Sequence, residues 1–307
     1  EEIAGTKNCE NMVGGIQIPI GVAGPIKIVN ENETYDSYIP LATTEGALVA
    51  SVNRGAKAVS QNKGVQTVAF KIGITRAPVF KTSSVFESKR LIEFIQNNFE
   101  IIKELCEKTS SHLSLLEIKP YVEGRNVHLR FRFDTQNAMG MNMATIAVSN
   151  CISFIEEKTN NTCIALSGNM CTDKKPNFLN FIEGRGFRVM ADAVIPGKII
   201  NEILKTDAFK ILDVYNSKIV NGSILSGSIG ANAHFSNILA ALFLATGQDV
   251  AHVAESSMGI TTIEKEGNDI YISVTLPDLP IGIIGGGTQL ATQKEALSML
   301  NLGNDDQ

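Results

Sequence analysis

Three stretches of the chain place chemically useful residues beside residues that free the backbone. Ile284–Gly285–Gly286–Gly287–Thr288 joins a strand pattern to a helix pattern. Three glycines let a phosphate approach backbone N–H groups at a helix start. A tight strand–helix turn calls for the same residues, and the motif alone does not separate the two. Asn137–Ala138–Met139–Gly140–Met141–Asn142–Met143 opens another helix pattern, with Gly140 in its first turn at a cost in propensity. A ligand close to the backbone would account for that glycine; core packing by the three methionines is the plain alternative. The stretch is not GxGxxG, so a Rossmann site is unsupported. Ser167 to Pro176 reads SGNMCTDKKP, with Lys174 and Lys175 beside Asp173. Such lysines can bind a carboxylate and stabilise an oxyanion, although a solvated charge run is the commoner use of the pattern.

Two carboxylates sit at helix ends in the sequence pattern. Glu45, in Thr43–Thr44–Glu45–Gly46, falls in a first helical turn, where the dipole favours an ionised group and capping alone explains it. Asp249, in Gly247–Gln248–Asp249, falls at the end of an apolar helix pattern, where it opposes the dipole and needs another reason to exist. His234 and Asn237, three apart, share a helical face; a lone helical histidine is more often a satisfied core residue than a catalyst. His112, His128, His234 and His252 are too scattered for a metal cluster, so no metal is expected. The five cysteines contain no CxxC pair, which points to reduced thiols in a cytoplasmic protein.

The elements that position these groups follow from hydropathy. Of 307 residues, 44% are apolar and 19% charged, enough for a large core and about two domains. A net charge of −5 without a long basic run argues against nucleic acid. The strongest apolar stretch, Ile238 to Ala245, is far short of the about 20 residues of a membrane span, and the polar start EEIAGTKN shows no signal peptide. Short extended pieces occupy 1–43, a helix capped by Thr43 or Thr44 runs to about Gln61, and VQTVAFKIGI is a strand. Residues 78–166 follow the order β-α-β-β-α-β, with helices from Ser84 to about Leu105 and from Ala138 to Glu157: a ferredoxin-like, split βαβ unit. A helix covers Gly197 to Leu212. The pattern from about Ser226 to Glu255 is apolar almost all round, which predicts a long buried central helix. Strands ITTIEK and DIYISVTL pair through Gly267–Asn268, and a last helix runs from Thr288 to about Leu300. The expected fold is α+β: a large domain from 1–77 and 167–307 around the central helix, and an inserted small domain at 78–166.

ENMVGGIQIPIGVAGP, LATTEGALVASVNRGAKAV, NAMGMNM, SGNMCTDKKPNFLNFIEGRG, GSIGANAHFSN, LATGQDVAH and IGGGTQL stand in one order along the chain. In that order they closely resemble the catalytic domain of the HMG-CoA reductases, in the class shared by eukaryotes and many archaea, over nearly the whole length. The resemblance implies reduction of 3-hydroxy-3-methylglutaryl-CoA to mevalonate and CoA with two NADPH, in the mevalonate pathway of isoprenoid biosynthesis. It implies a homodimer with active sites between subunits, and 78–166 as the nucleotide-binding domain. By motif, Glu45 matches the catalytic proton donor, which burial and a neighbouring carboxylate would tune. Lys174 matches the lysine that stabilises the oxyanion, and Asp249 the aspartate linking the two. Arg76, Ser167, Asp173, Lys175, Lys218, His234 and Asn237 match positions around the hydroxymethylglutaryl group; Ser51, Asn53 and Arg54 match the CoA side. Asn137, Met139, Gly140, Met141 and Asn142, with Gly285, Gly286, Gly287 and Thr288, match dinucleotide contacts.

Three departures bear on these assignments. Ser110–Ser111–His112 stands where the family often has Ser-Arg-Phe, whose arginine holds the 2′-phosphate of NADPH, so NADH is the alternative cofactor. NAMGMNM begins with Asn137 where Asp is usual. None of the four histidines matches the family's catalytic histidine, which lies on a helical segment beyond GGGT. Residues after about Leu302 are expected to lead into a mobile flap carrying that group, and a non-catalytic CoA-thioester-binding fragment is the rival reading.

Overall fold

A computed structural model describes residues 2–302 of the chain; the expected flap residues after Leu302 lie outside them. The strands are β1 (Ile20–Val29), β2 (Thr34–Ala42), β3 (Val65–Arg76), β4 (Val79–Lys81), β5 (Ser114–Glu123), β6 (Asn126–Asp134), β7 (Thr162–Ala165), β8 (Arg185–Ile195), β9 (Ile260–Glu266) and β10 (Asp269–Leu279). The fold is mixed α/β. Lys71–Lys175 form one compact unit, and the residues before and after them form another. The sequence placed those boundaries at 78 and 166. Among the described residues no helix is long and apolar enough to cross a membrane.

In the unit built from both ends, β1 pairs antiparallel with β2 from Ile20↔Ala42 to Val29↔Thr34, and at Ile28 and Val29 it pairs parallel with the start of β3. β2 falls within the stretch 1–43 expected to be extended, but no alternation marks it out as a strand. Pro40 interrupts it, and Ser37 sits buried on its inner face with its hydroxyl donating to the Leu300 carbonyl at 2.9 Å, so alternation of apolar and polar residues is hidden. The helix Leu48–Ser60 turns Leu48 onto Ala23, Leu41 and Ala241. In the same sheet β8, β10 and β9 pair antiparallel in that order, with Gly267 at φ 62 in the β9–β10 turn.

Two helices are shorter than their hydropathy suggested. The apolar helix runs only Phe235–Thr246, not 226 to 255. Gly227 and Gly230 take left-handed conformations before it, and Gly247 at φ 72 ends it. The expected helix 197–212 is interrupted by Lys205 at φ 58 and restarts at Ala208, where Asp207 accepts from the Lys210 N–H at 3.0 Å. Wide π turns cover Ile200–Leu204 and Tyr215–Asn221.

In the Lys71–Lys175 unit, β6 pairs with β5, β4 and the last residues of β3, and β4 also pairs with β7, all antiparallel. Leu129, Phe131 and Phe133 of β6 pack with Leu91, Ile102, Ala147 and Val148 from the helices in one continuous core. Val85–Asn97 begins at Ser84, whose hydroxyl accepts from the Glu87 N–H. The predicted helix from Ser84 to Leu105 is two helices, because Asn98 donates its side-chain amide back to the Phe94 carbonyl at 2.8 Å and Phe99–Glu107 starts anew.

Candidate active site

Each unit assembles its own share of the sequence-predicted residues. In the first, Glu45, Ser51, His234 and Asn237 line one cavity of about 610 Å³ whose walls are apolar, among them Ile39, Val52, Ile238 and Ile272. The Asn237 side-chain amide donates to Glu45 Oε2 at 2.8 Å. Glu45 lies ahead of its helix, not in the first turn: Leu48 is the first helical residue, after Ala47 at φ 65. Thr43 does not cap that helix; its hydroxyl accepts from the Glu45 N–H at 2.9 Å and holds the turn that presents the carboxylate. Glu45 is exposed in the single chain, so the burial expected of it is not supplied by the chain's own residues. The Asn53 side-chain oxygen accepts from the Gly24 N–H at 3.0 Å, which ties the middle of the helix Leu48–Ser60 to β1. Arg54 and Lys218 are exposed.

Asp249 corrects a second expectation. It is not at the C-terminus of the apolar helix. That helix stops at Thr246, and Asp249 caps the 3₁₀ turn Val250–His252 by accepting from the Ala251 N–H at 3.0 Å. The carboxylate therefore meets a helix start, where a negative charge is favoured. Its neighbour Gln248 exchanges two hydrogen bonds with the backbone of Gly282, at 2.9 and 3.0 Å. Gly247 meets Gly287 directly: a Cβ on Gly287 would lie 2.6 Å from the Gly247 carbonyl oxygen. GQD and GGGT are thus locked together, and Gly287 is accounted for by packing. Gly285 (φ 83) and Gly286 (φ 54) need positive φ but meet nothing within 4 Å. The turn Gly286–Gln289 is 3₁₀ and the α-helix begins only at Ala291.

The second unit builds the lysine loop. Asn169, Thr172 and Lys174, at φ 64, 59 and 59, all lie in the left-handed region. Such clustering of strain needs a surrounding that over-determines it. Thr75 donates its hydroxyl to the Cys171 carbonyl at 2.9 Å, the buried Arg130 Nε donates to Met170 O at 3.1 Å, and Gly168 N–H donates to Ala77 O at 2.7 Å. Ser167 Oγ lies 3.2 Å from Cys171 Sγ, and Lys175 Nζ donates to the Asp173 carbonyl at 3.1 Å. Lys174 is exposed. Arg76 donates through Nε and Nη2 to Thr145 Oγ1, at 2.9 and 2.7 Å, and so is tied to the helix Met141–Thr159.

The same unit holds the expected dinucleotide residues between Ser110 and Asn142, while Gly285–Thr288 belong to the other unit. His112 Nδ1 lies 2.9 Å from Gln136 Oε1, beside Asn137, and Ser110 Oγ accepts from the His112 N–H at 3.1 Å. Ser111 is exposed. Gly140 precedes the helix at φ 89, where a Cβ would collide with the Thr135 side chain at 2.3 Å, so the glycine is required by the turn itself. Met139, Met141 and Met143 pack against the core, and Asn142 is exposed. Asp134, two residues before Gln136, is paired with Lys71 at 2.5 Å. Burial would raise its carboxyl, but Lys71 and the Gln136 N–H outweigh that and hold it below the usual range.

Glu45 and Asp249 belong to the first unit and Lys174 to the second. Sequence reasoning missed a buried cluster behind Asp249. His252, Glu255, Arg185, Asn180 and Asp278 are all fully buried. Arg185 Nη1 donates to both Glu255 oxygens at 2.8 and 2.9 Å, and the Asn180 amide donates to Glu255 Oε2 at 3.0 Å and to Asp278 Oδ2 at 2.6 Å. Burial, with Glu255 adding to it, pushes the Asp278 carboxyl up to about 9. The spacing Asp249-x-x-His252-x-x-Glu255 was the available signal.

A sequence model of the hydroxymethylglutaryl-coenzyme A reductase family matches residues 2–307. The chain belongs to that family. It is 48% identical over its full length to the 3-hydroxy-3-methylglutaryl-coenzyme A reductase of Methanocaldococcus jannaschii, of which it spans 77%. It is 50% identical to that of Aeropyrum pernix over 96% of the chain and 71% of the relative, and 43% identical to reductase 1 of Arabidopsis thaliana over 96% and 50%. Its fold matches a class II 3-hydroxy-3-methylglutaryl-CoA reductase of Streptococcus pneumoniae bound to NADPH, with a TM-score of 0.76 over 98% of this chain and 82% of that one, at 16% identity.

Proposed function

We propose that the chain reduces 3-hydroxy-3-methylglutaryl-CoA to mevalonate and CoA with two NADPH. The observation that carries this is membership of the reductase family along the whole chain with Glu45, Lys174 and Asp249 all in place. Lys174 supplies the fixed positive charge for the oxyanion that forms when the thioester or aldehyde carbonyl is attacked. Glu45, held by Asn237, delivers protons to that oxygen. Asp249 sets the electrostatic balance between them. Ser51, Asn53 and Arg54 take the CoA side, and Arg76, Ser167, Asp173, Lys175, Lys218 and His234 the acyl group. A non-catalytic thioester-binding role is disfavoured, because it gives no reason to keep all three charged groups.

The Lys71–Lys175 unit is read as a ferredoxin-like nucleotide-binding domain, supported by its strand pairing, and the other unit as a large domain round Phe235–Thr246. NADPH, when bound, supplies the hydride. The residues present suit it: the helix Met141–Thr159 starts without a side-chain cap, so its positive end suits a pyrophosphate, and Ser110, Ser111, His112 and Gln136 offer polar contacts for the ribose end. GGGT is assigned to the same ligand through Gly285, Gly286 and Thr288. Glu45 and Lys174 are assigned to opposite sides of a homodimer interface. Their exposure in one chain supports this, as do Val13 and Ile16, which stand fully exposed in the segment ENMVGGIQI. A cytoplasmic location completes the reading. The test follows absorbance of NADPH and NADH with the thioester: two equivalents of cofactor consumed per CoA released supports the function, and no oxidation by the purified protein refutes it.

A further inference from the structure

Asp249, His252 and Glu255 are three residues apart in succession. Val250–His252 is a 3₁₀ turn and Val253–Ser256 continues it as one α turn. In such tight turns residues three apart stack on one side. The His252 N–H donates to the Asp249 carbonyl at 3.0 Å, which fixes the turn. The imidazole then presents one nitrogen to each carboxylate: Nδ1 lies 3.9 Å from Asp249 Oδ2, and Nε2 lies 3.7 Å from Glu255 Oε1. Glu255 cannot swing away, since Arg185 and Asn180 hold both of its oxygens. Only Asp249 reaches the surface; its side chain is 38% exposed, against 1% for His252 and 0% for Glu255.

Burying an arginine, two carboxyl groups, a histidine and an amide side by side is a poor way to stabilise a core. Apolar residues of similar volume usually do as well or better. The cluster therefore calls for a reason beyond folding, and on the turn that carries His252 and Glu255 the carboxylate that reaches the surface is Asp249. We propose, on the assignment of Asp249 above as a site carboxylate, that His252 and Glu255 are positioning residues for it. The imidazole fixes the Asp249 carboxylate, and Glu255, clamped by Arg185 and Asn180, fixes the imidazole.

The test uses His252→Gln, Asp249→Asn and the double variant in the whole protein, with kcat and KM for the CoA thioester and circular dichroism for folding. Asp249→Asn is expected to be inactive or nearly so. His252→Gln should lower kcat by roughly 10²-fold, the loss that about 1 Å of misplacement brings, with KM close to wild type. The double variant should be no slower than Asp249→Asn, since a residue acting only through Asp249 has nothing left to position. Losses that multiply would show that His252 acts independently of Asp249 and overturn the proposal. So would wild-type kcat in His252→Gln alongside an inactive Asp249→Asn, an outcome that leaves the role of Asp249 intact. A fully active Asp249→Asn overturns the site assignment and the proposal with it. If His252→Gln does not fold, Glu255→Asp carries the test: it keeps the charge for Arg185 but withdraws it from the ring, so it should lower kcat with KM unchanged, and wild-type kcat there overturns the proposal.

Discussion

Gly287→Ala separates packing from ligand binding in the glycine motif. A Cβ at this position would sit 2.6 Å from the Gly247 carbonyl oxygen and 3.2 Å from the Gly247 Cα. Ordinary contact begins at about 3.4 Å, so backbone must yield by most of an ångström, and overpacking of this kind costs about 1–3 kcal/mol. The element that yields is the loop carrying Gln248 and Asp249, whose clamp on Gly282 is thereby strained. Gly286→Asn is the control. Its φ of 54 is one that asparagine tolerates, and no atom lies within 4 Å of the new Cβ. Thermal unfolding should show Gly287→Ala melting lower by about 2–4 °C for each kcal/mol lost, with Gly286→Asn close to wild type. Dinucleotide titration should show the opposite order, with weaker binding in Gly286→Asn if the motif cradles a phosphate. An unchanged melting temperature in Gly287→Ala would refute the reasoning that Gly247 and Gly287 are glycines because they touch.

Lys174→Ala should abolish reduction of both the thioester and free mevaldehyde, since losing one preorganised oxyanion donor costs about 2.7–4 kcal/mol; near-normal turnover on either substrate would remove the lysine from that step. Asp278→Asn should grow more stable than wild type as pH rises. The Asp278 carboxyl titrates near 9 in the fold, against about 3.9 in an unfolded chain, so between those values the native state holds a proton the unfolded state has released, and wild-type stability falls as pH increases. Denaturant midpoints at pH 5 and pH 9 that shift equally for both proteins would contradict this. Discrimination for NADPH over NADH should be weak, because the His112–Gln136 pair stands near the ionised Asp134 and the chain lacks an arginine at positions 110–112; a strong preference for NADPH that survives His112→Ala would place the phosphate elsewhere.

The sequence by itself determined the family, the identity of the charged groups and most strands. These depend on local order: long motifs in a fixed succession, alternation in Val127–Phe133, and a turn at Gly267–Asn268 are all written within a few residues. It also showed that Gly140 was costly and that Asp249 needed a reason. The reasons themselves came only from the tertiary structure. Gly140 answers to Thr135, Gly287 to Gly247, and Asn53 to Gly24, contacts that span 5, 40 and 29 positions and that no local pattern records. β2 did not stand out as a strand of its own because the carbonyl that accepts from the buried Ser37 hydroxyl belongs to Leu300. The apolar helix read too long because hydropathy sees side chains, while its ends are set by left-handed glycines. Asp249 changed from a misplaced carboxylate to a capping one when the helix ended three residues earlier, at Thr246. The Arg185–Glu255–Asp278 cluster was decided by the fold alone, since Arg185 and Glu255, 70 positions apart, and Asn180 and Asp278, 98 apart, find one another only when β8, β10 and the turn after Asp249 converge.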